Sequence, residues 1–154
     1  MNSAVTDFLS KKSIAVIGVS RGRGFGNTIM RTLSERGYDV VPVNANADTI
    51  DGQPCHRSLT KVSAPVEAVV SVVPPLQTLT VVDDCIRLGI KHLWMQQGSE
   101  SREAILRAEA SGINVVHHAC ILMYASPRGI HRVHRWIHDV ITRPHDEASS
   151  NTIP

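Results

Sequence analysis

Ten consecutive residues, Gly18-Val19-Ser20-Arg21-Gly22-Arg23-Gly24-Phe25-Gly26-Asn27, place four glycines and two arginines in one short stretch. Glycine lets a backbone approach an anion closely, and the N–H groups that open a following helix carry a partial positive charge. Ser20 adds a hydroxyl donor, while Arg21 and Arg23 can each pair with a phosphate oxygen. The combination predicts phosphate binding. The dinucleotide fingerprint Gly-x-Gly-x-x-Gly is nevertheless absent, because Gly22-x-Gly24 is followed by Asn27 where the third glycine belongs. Nor does an acid follow the second apolar run to hold ribose hydroxyls; Val43-Asn44-Ala45-Asn46 offers an amide there. Both features count against ordinary NAD binding, and NADP survives as an alternative only through arginines that reach a 2′-phosphate.

Two other residue sets invite chemistry. Cys55, Cys85 and Cys120 form no CxxC pair, which argues against a disulfide framework or a four-cysteine zinc site and suits a reducing cytoplasm. Cys85 falls within a helical pattern and reads as core, and Cys55 lies on a loop with no identifiable partner. His131, His134 and His138, at i, i+3 and i+7, share one helical face. Three imidazoles in that array suggest a transition metal, but Arg132 and Arg135 interleave them and repel a cation. A packing or oligomer face is the expected role.

These groups need elements to hold them. IAVIGV at 14–19, DVVPVN at 39–44, AVVSVV at 68–73, IKHLWM at 90–95 and INVVHH at 113–118 are short apolar runs read as strands. Between them stand helical patterns: IMRTLSERG after the glycine loop, 76–88 closed by Gly89, and 100–111 closed by Gly112. Near-continuous apolar strands alternating with amphipathic helices predict a parallel sheet covered on both faces. The expected fold is therefore an α/β, Rossmann-like doubly wound parallel sheet of about five strands in a single domain. Pro42 is awkward for a central strand and predicts a distortion there. A last helix is expected at 128–141. The domain should occupy 1–142, with a flexible C-terminal tail at 143–154. In such a sheet ligands bind beyond the carboxyl ends of the strands, where the glycine loop falls.

Composition sets outer limits. The chain has 154 residues, enough for one self-sufficient core, with 42% hydrophobic and 19% charged residues. A net charge of +2 makes duplex DNA an unsuitable main partner. The opening MNSAVTDFLSKKS lacks the apolar core of a secretory signal, and the most apolar stretch, 62–82, is broken by Pro65, Glu67 and Pro74-Pro75, so no membrane span is expected.

Five segments in order and at matching spacings resemble a known family. They are IAVIGVS, VPVNANADTIDGQPCHRSL at 41–59, VVPP at 72–75, RLGIKHLWMQQG at 87–98 and AEASGINVVHHACI at 108–121. The family is that of small CoA-binding proteins related to the nucleotide-binding domain of the succinyl-CoA synthetase α-subunit. HRVHRWI at 131–137 resembles the ending of one branch. The resemblance implies that the cofactor is coenzyme A or an acyl-CoA. Gly18, Val19, Ser20, Gly24, Gly26 and Asn27 would then meet its pyrophosphate, and Asn44 its adenosine. Val73, Pro74 and Pro75 would give a rigid apolar ledge for the pantetheine arm, and Gln97 and Gly98 would line the same crevice. Cys120, after the fifth strand, would be reactive toward the CoA thiol or simply packed. Where the family carries a basic residue and proline before the helix, this chain has Phe25-Gly26, and Ala45 replaces the proline after Asn44. Arg21 or Arg23 would then have to handle the 3′-phosphate. No catalytic group is identifiable. The competing expectations are an NADP-linked or acyl-transfer enzyme using Cys120, and a metal-binding or scaffolding module. Whether the chain forms a homo-oligomer or serves a partner enzyme is left open by its sequence.

Overall fold

β-Branched and apolar residues fill five short strands, β1 (Ser13–Ile17), β2 (Asp39–Val43), β5 (Ala68–Ser71), β6 (His92–Met95) and β7 (Asn114–Val116), in a computed structural model that describes residues 3–125. They form one parallel sheet in the order β2-β1-β5-β6-β7. This is the predicted doubly wound α/β fold. The expected helix at 128–141, with His131, His134 and His138, and the tail at 143–154 lie outside the described residues.

Alternation along the strands feeds two cores. Ile14, Val16, Ala68, Val70, Trp94 and Val116 point to one face, where they meet α1 (Ser3–Leu9), α2 (Phe25–Glu35) and α5 (Leu122–Ala125). Ala15, Val69, Leu93, Met95 and Val115 point to the other, against α3 (Pro75–Leu88) and α4 (Arg102–Ala110). Because both faces are covered, the strands carry little polarity. The α3 helix ends at Gly89, whose φ of 71° is left-handed and suits a residue without a Cβ. Ser101 starts α4 by accepting a hydrogen bond from the Ala104 N–H.

Three features depart from the expectation. The opening residues form α1, whose Phe8 is fully buried with its ring 5.3 Å from that of Trp94. A small hairpin, β3 (Thr49–Ile50) and β4 (Gln53–Pro54), turns at Asp51-Gly52, both with positive φ, as an Asp-Gly hairpin turn requires. Pro42 causes no distortion. β2 is an edge strand in unbroken register with β1, and the outward side of Pro42 meets a chain segment instead of a ladder strand. There its carbonyl accepts from the His56 N–H and the Asn44 N–H donates to the His56 carbonyl, at 3.0 and 2.9 Å. The missing proline donor costs nothing on that side.

Candidate functional site

The chain reverses its direction of travel across the sheet between β1 and β5, and ligands in open parallel sheets gather at the carboxyl end of such a switch point. Gly18 sits there with φ 114°. A Cβ on it would come within 2.9 Å of the Val72 carbonyl group, so no larger residue fits between the two strand ends. Gly26, in the first turn of α2, is tighter still, since its Cβ would lie 2.4 Å from the Gly18 carbonyl oxygen. These two glycines let α2 begin directly against the end of β1. Gly24 caps α2 without a side-chain hydrogen bond, and no acid stands in the first turn, so the helix start remains receptive to an anion.

Asn27 holds the loop in shape. It is fully buried, its Oδ1 accepts from the Ser20 N–H at 2.7 Å, and its Nδ2 donates to the carbonyls of Ser20 and Gly22 at 2.8 and 3.0 Å. The side-chain amide is thus spent on the loop's own backbone. Asn44 performs a similar task between loops: its Nδ2 donates to the Val19 carbonyl at 2.5 Å and its Oδ1 accepts from the Asn46 N–H at 2.7 Å. Arg21 donates to the Asn46 carbonyl, while Arg23 is exposed.

A cavity of about 380 Å³ opens between these loops and α3. Gly18, Val19 and Asn44 line it, as does Val73, the first ledge residue. Ser20, Arg21, Arg23, Gly24, Gly26 and Asn27 stand outside the lining, in the adjoining loop. Pro74 and Pro75 are exposed, Pro74 as the N-cap of α3 and Pro75 in its first turn, where proline's lack of an N–H is harmless. Ser71 and Thr78, both fully buried, share a 2.9 Å hydrogen bond that fixes α3 against β5.

The fourth and fifth strand ends behave differently. Gln97 and Gly98 are exposed and do not line the cavity. The inward residue is Gln96, nearly fully buried, whose Oε1 accepts from the Ile121 N–H at 3.0 Å. Cys120 is partly buried beside that contact and also stands outside the cavity. Burial pushes the Cys85 thiol up to about 12, with Asp84 adding to the effect, so Cys85 is inert core as expected. Among the described residues no group of three histidine, cysteine or acidic side chains is placed to hold a metal.

Arg57, Gln77, Thr80 and Asp84 escaped the sequence reading, yet all four line the cavity. Gln77, Thr80 and Asp84 recur every three or four residues along α3, a spacing that marks one helical face. That signal was present. Arg57 has no such pattern, and only the pairing of its segment with the edge of β2 brings it to the site.

The sequence model of the CoA binding domain matches residues 12–126. Acetate–CoA ligase [ADP-forming] I of Archaeoglobus fulgidus is 32% identical over 123 residues, covering 73% of this chain and 18% of the ligase. A hypothetical protein from Pyrococcus horikoshii superposes with a TM-score of 0.76 and 30% identity, over 86% of this chain and 91% of that one. Acetyl-coenzyme A synthetase 1 of Korarchaeum cryptofilum superposes with a TM-score of 0.60 and 31% identity, over 68% of this chain and 25% of the synthetase. The chain therefore spans less than a fifth of the curated ligase and a quarter of the synthetase.

Proposed function

The chain belongs to the CoA binding domain family, and on that premise we propose that it binds coenzyme A or an acyl-CoA across the carboxyl ends of β1, β2 and β5. One observation carries this reading: the family match spans every residue that lines the cavity between the glycine loop and α3. The nucleoside end occupies the cavity, whose volume lies within the range of about 300–1,000 Å³ usual for small-molecule sites. The pyrophosphate lies against the glycine loop and the start of α2, where Asn27 holds the backbone open and Gly24 leaves the helix end uncapped. From there the pantetheine arm passes Val73 and the Pro74-Pro75 ledge toward the β6 and β7 loops. Binding, rather than a reaction completed by this chain alone, is the proposed role.

Titration calorimetry and melting curves with CoA, acetyl-CoA, NAD, NADP and ATP test it. CoA at a hundred times its Kd should stabilise the fold by about 2.7 kcal/mol. Absence of both heat and melting shift at millimolar CoA would overturn the reading, and a shift with NADP alone would redirect it to the NADP-linked alternative.

A further inference from the structure

We propose that Arg57 recognises a phosphomonoester on the nucleotide ligand, and so sets a preference for CoA over its dephospho form. The proposal rests on the CoA reading above. It starts from charge placement. Among the described residues that line the cavity, Arg57 is the one basic side chain and Asp84 the one acid. They come from opposite walls, Arg57 from the segment along the edge of β2 and Asp84 from α3. A ligand carrying a phosphate and an amino-bearing base is therefore oriented, with its anion toward Arg57 and away from the Asp84 carboxyl.

The Arg57 guanidinium is already arranged for an oxyanion. Its Nε and Nη2 donate to the two carboxylate oxygens of Asp48 at 3.0 and 3.2 Å, a fork that a phosphate matches equally well. Its Nη1 donates to the Ala45 carbonyl at 3.2 Å, and Arg21 donates to the neighbouring Asn46 carbonyl. Two cations thus converge on one turn that itself lines the cavity, against the single carboxylate of Asp48. Arg57 and Arg21 both hold that carboxyl below its ordinary range, which places each guanidinium within electrostatic reach of it. The Asp48 and Arg57 side chains are 78% and 51% exposed, so their pairing contributes little to stability and yields readily to a dianion. Asp48 is then a placeholder that keeps the Arg57 fork oriented while the site is empty of phosphate. Neither Arg21 nor Arg23 lines the cavity, so among the described residues Arg57 is the arginine that faces the nucleoside.

Calorimetric titration of CoA and dephospho-CoA into the full chain, and into its Arg57→Gln, Arg57→Lys and Asp48→Asn variants, tests this, with circular dichroism to verify folding. The unsubstituted protein should bind CoA about ten-fold or more tightly than dephospho-CoA, as expected for a charge-assisted forked contact. Arg57→Gln should bring the ratio near one, Arg57→Lys should leave it between the two, and Asp48→Asn should raise it. Equal affinity of the unsubstituted protein for both ligands, or an undiminished ratio in Arg57→Gln, would overturn the assignment while leaving the CoA reading intact. Failure of the unsubstituted protein to bind either ligand would instead remove the CoA reading and this inference together.

Discussion

At the scale of single residues, the site separates groups that shape the backbone from groups that face the cavity. Asn27 and Asn44 spend their amides on loop backbone, whereas Arg57 and Asp84 present charge to the cavity. Asp84 has a measurable consequence. Burial raises its carboxyl above the ordinary value of 3.8, an effect that Arg87 opposes and Asp83 reinforces. The folded state therefore holds this proton more tightly than the unfolded state does, and ionisation at neutral pH costs stability. The cost fades as pH falls through the raised folded value and is gone below the unfolded one. Asp84→Asn should melt above the unsubstituted protein at pH 7, and the gap should close by about pH 3, where the carboxyl is neutral in both states. A gap that is independent of pH would show that charge is not its origin.

Among the elements, α1 has a role that its sequence does not advertise. Seven residues are too few for a stable isolated helix, yet Ala4, Val5 and Phe8 are all buried against the sheet. Phe8→Ala should lower unfolding free energy by about 3–5 kcal/mol in a denaturant titration, because a fully buried aromatic beside Trp94 leaves a cavity behind. A loss under about 1 kcal/mol would mean that α1 contributes little to the folded core. The five parallel strands and the three longer helices were legible, since apolar runs such as Ala68–Ser71 and stops such as Gly89 are local signals. The glycine loop was legible for the same reason. Arg57 was not, because its place depends on His56 pairing with Pro42 and Asn44, which no local pattern encodes. Gln97 was expected at the crevice and is exposed, whereas the neighbouring Gln96 turns inward; strand ends shift by a residue or two, and one residue decides whether an amide faces solvent or the core.

Across the whole molecule, the carboxyl ends of the strands form the pole at which CoA is proposed to bind. CoA should slow amide hydrogen exchange at 18–27, 44–48 and 56–59 and at the start of α3, while α1 keeps its free rate apart from any global stabilisation. Protection concentrated instead at the amino ends of the strands, near Lys12, Tyr38 and Lys91, would place the ligand at the wrong pole. The covering of β2 has another outcome, in the realm of solubility. An open sheet edge is a template on which a foreign strand can grow into an aggregate. Here the Val40 carbonyl is taken by the Gln53 side-chain amide, Pro42 has no donor to offer, and the Pro42 carbonyl and Asn44 N–H are held by His56. The segment that delivers Arg57 to the cavity thus also denies a growing fibril its foothold along this edge.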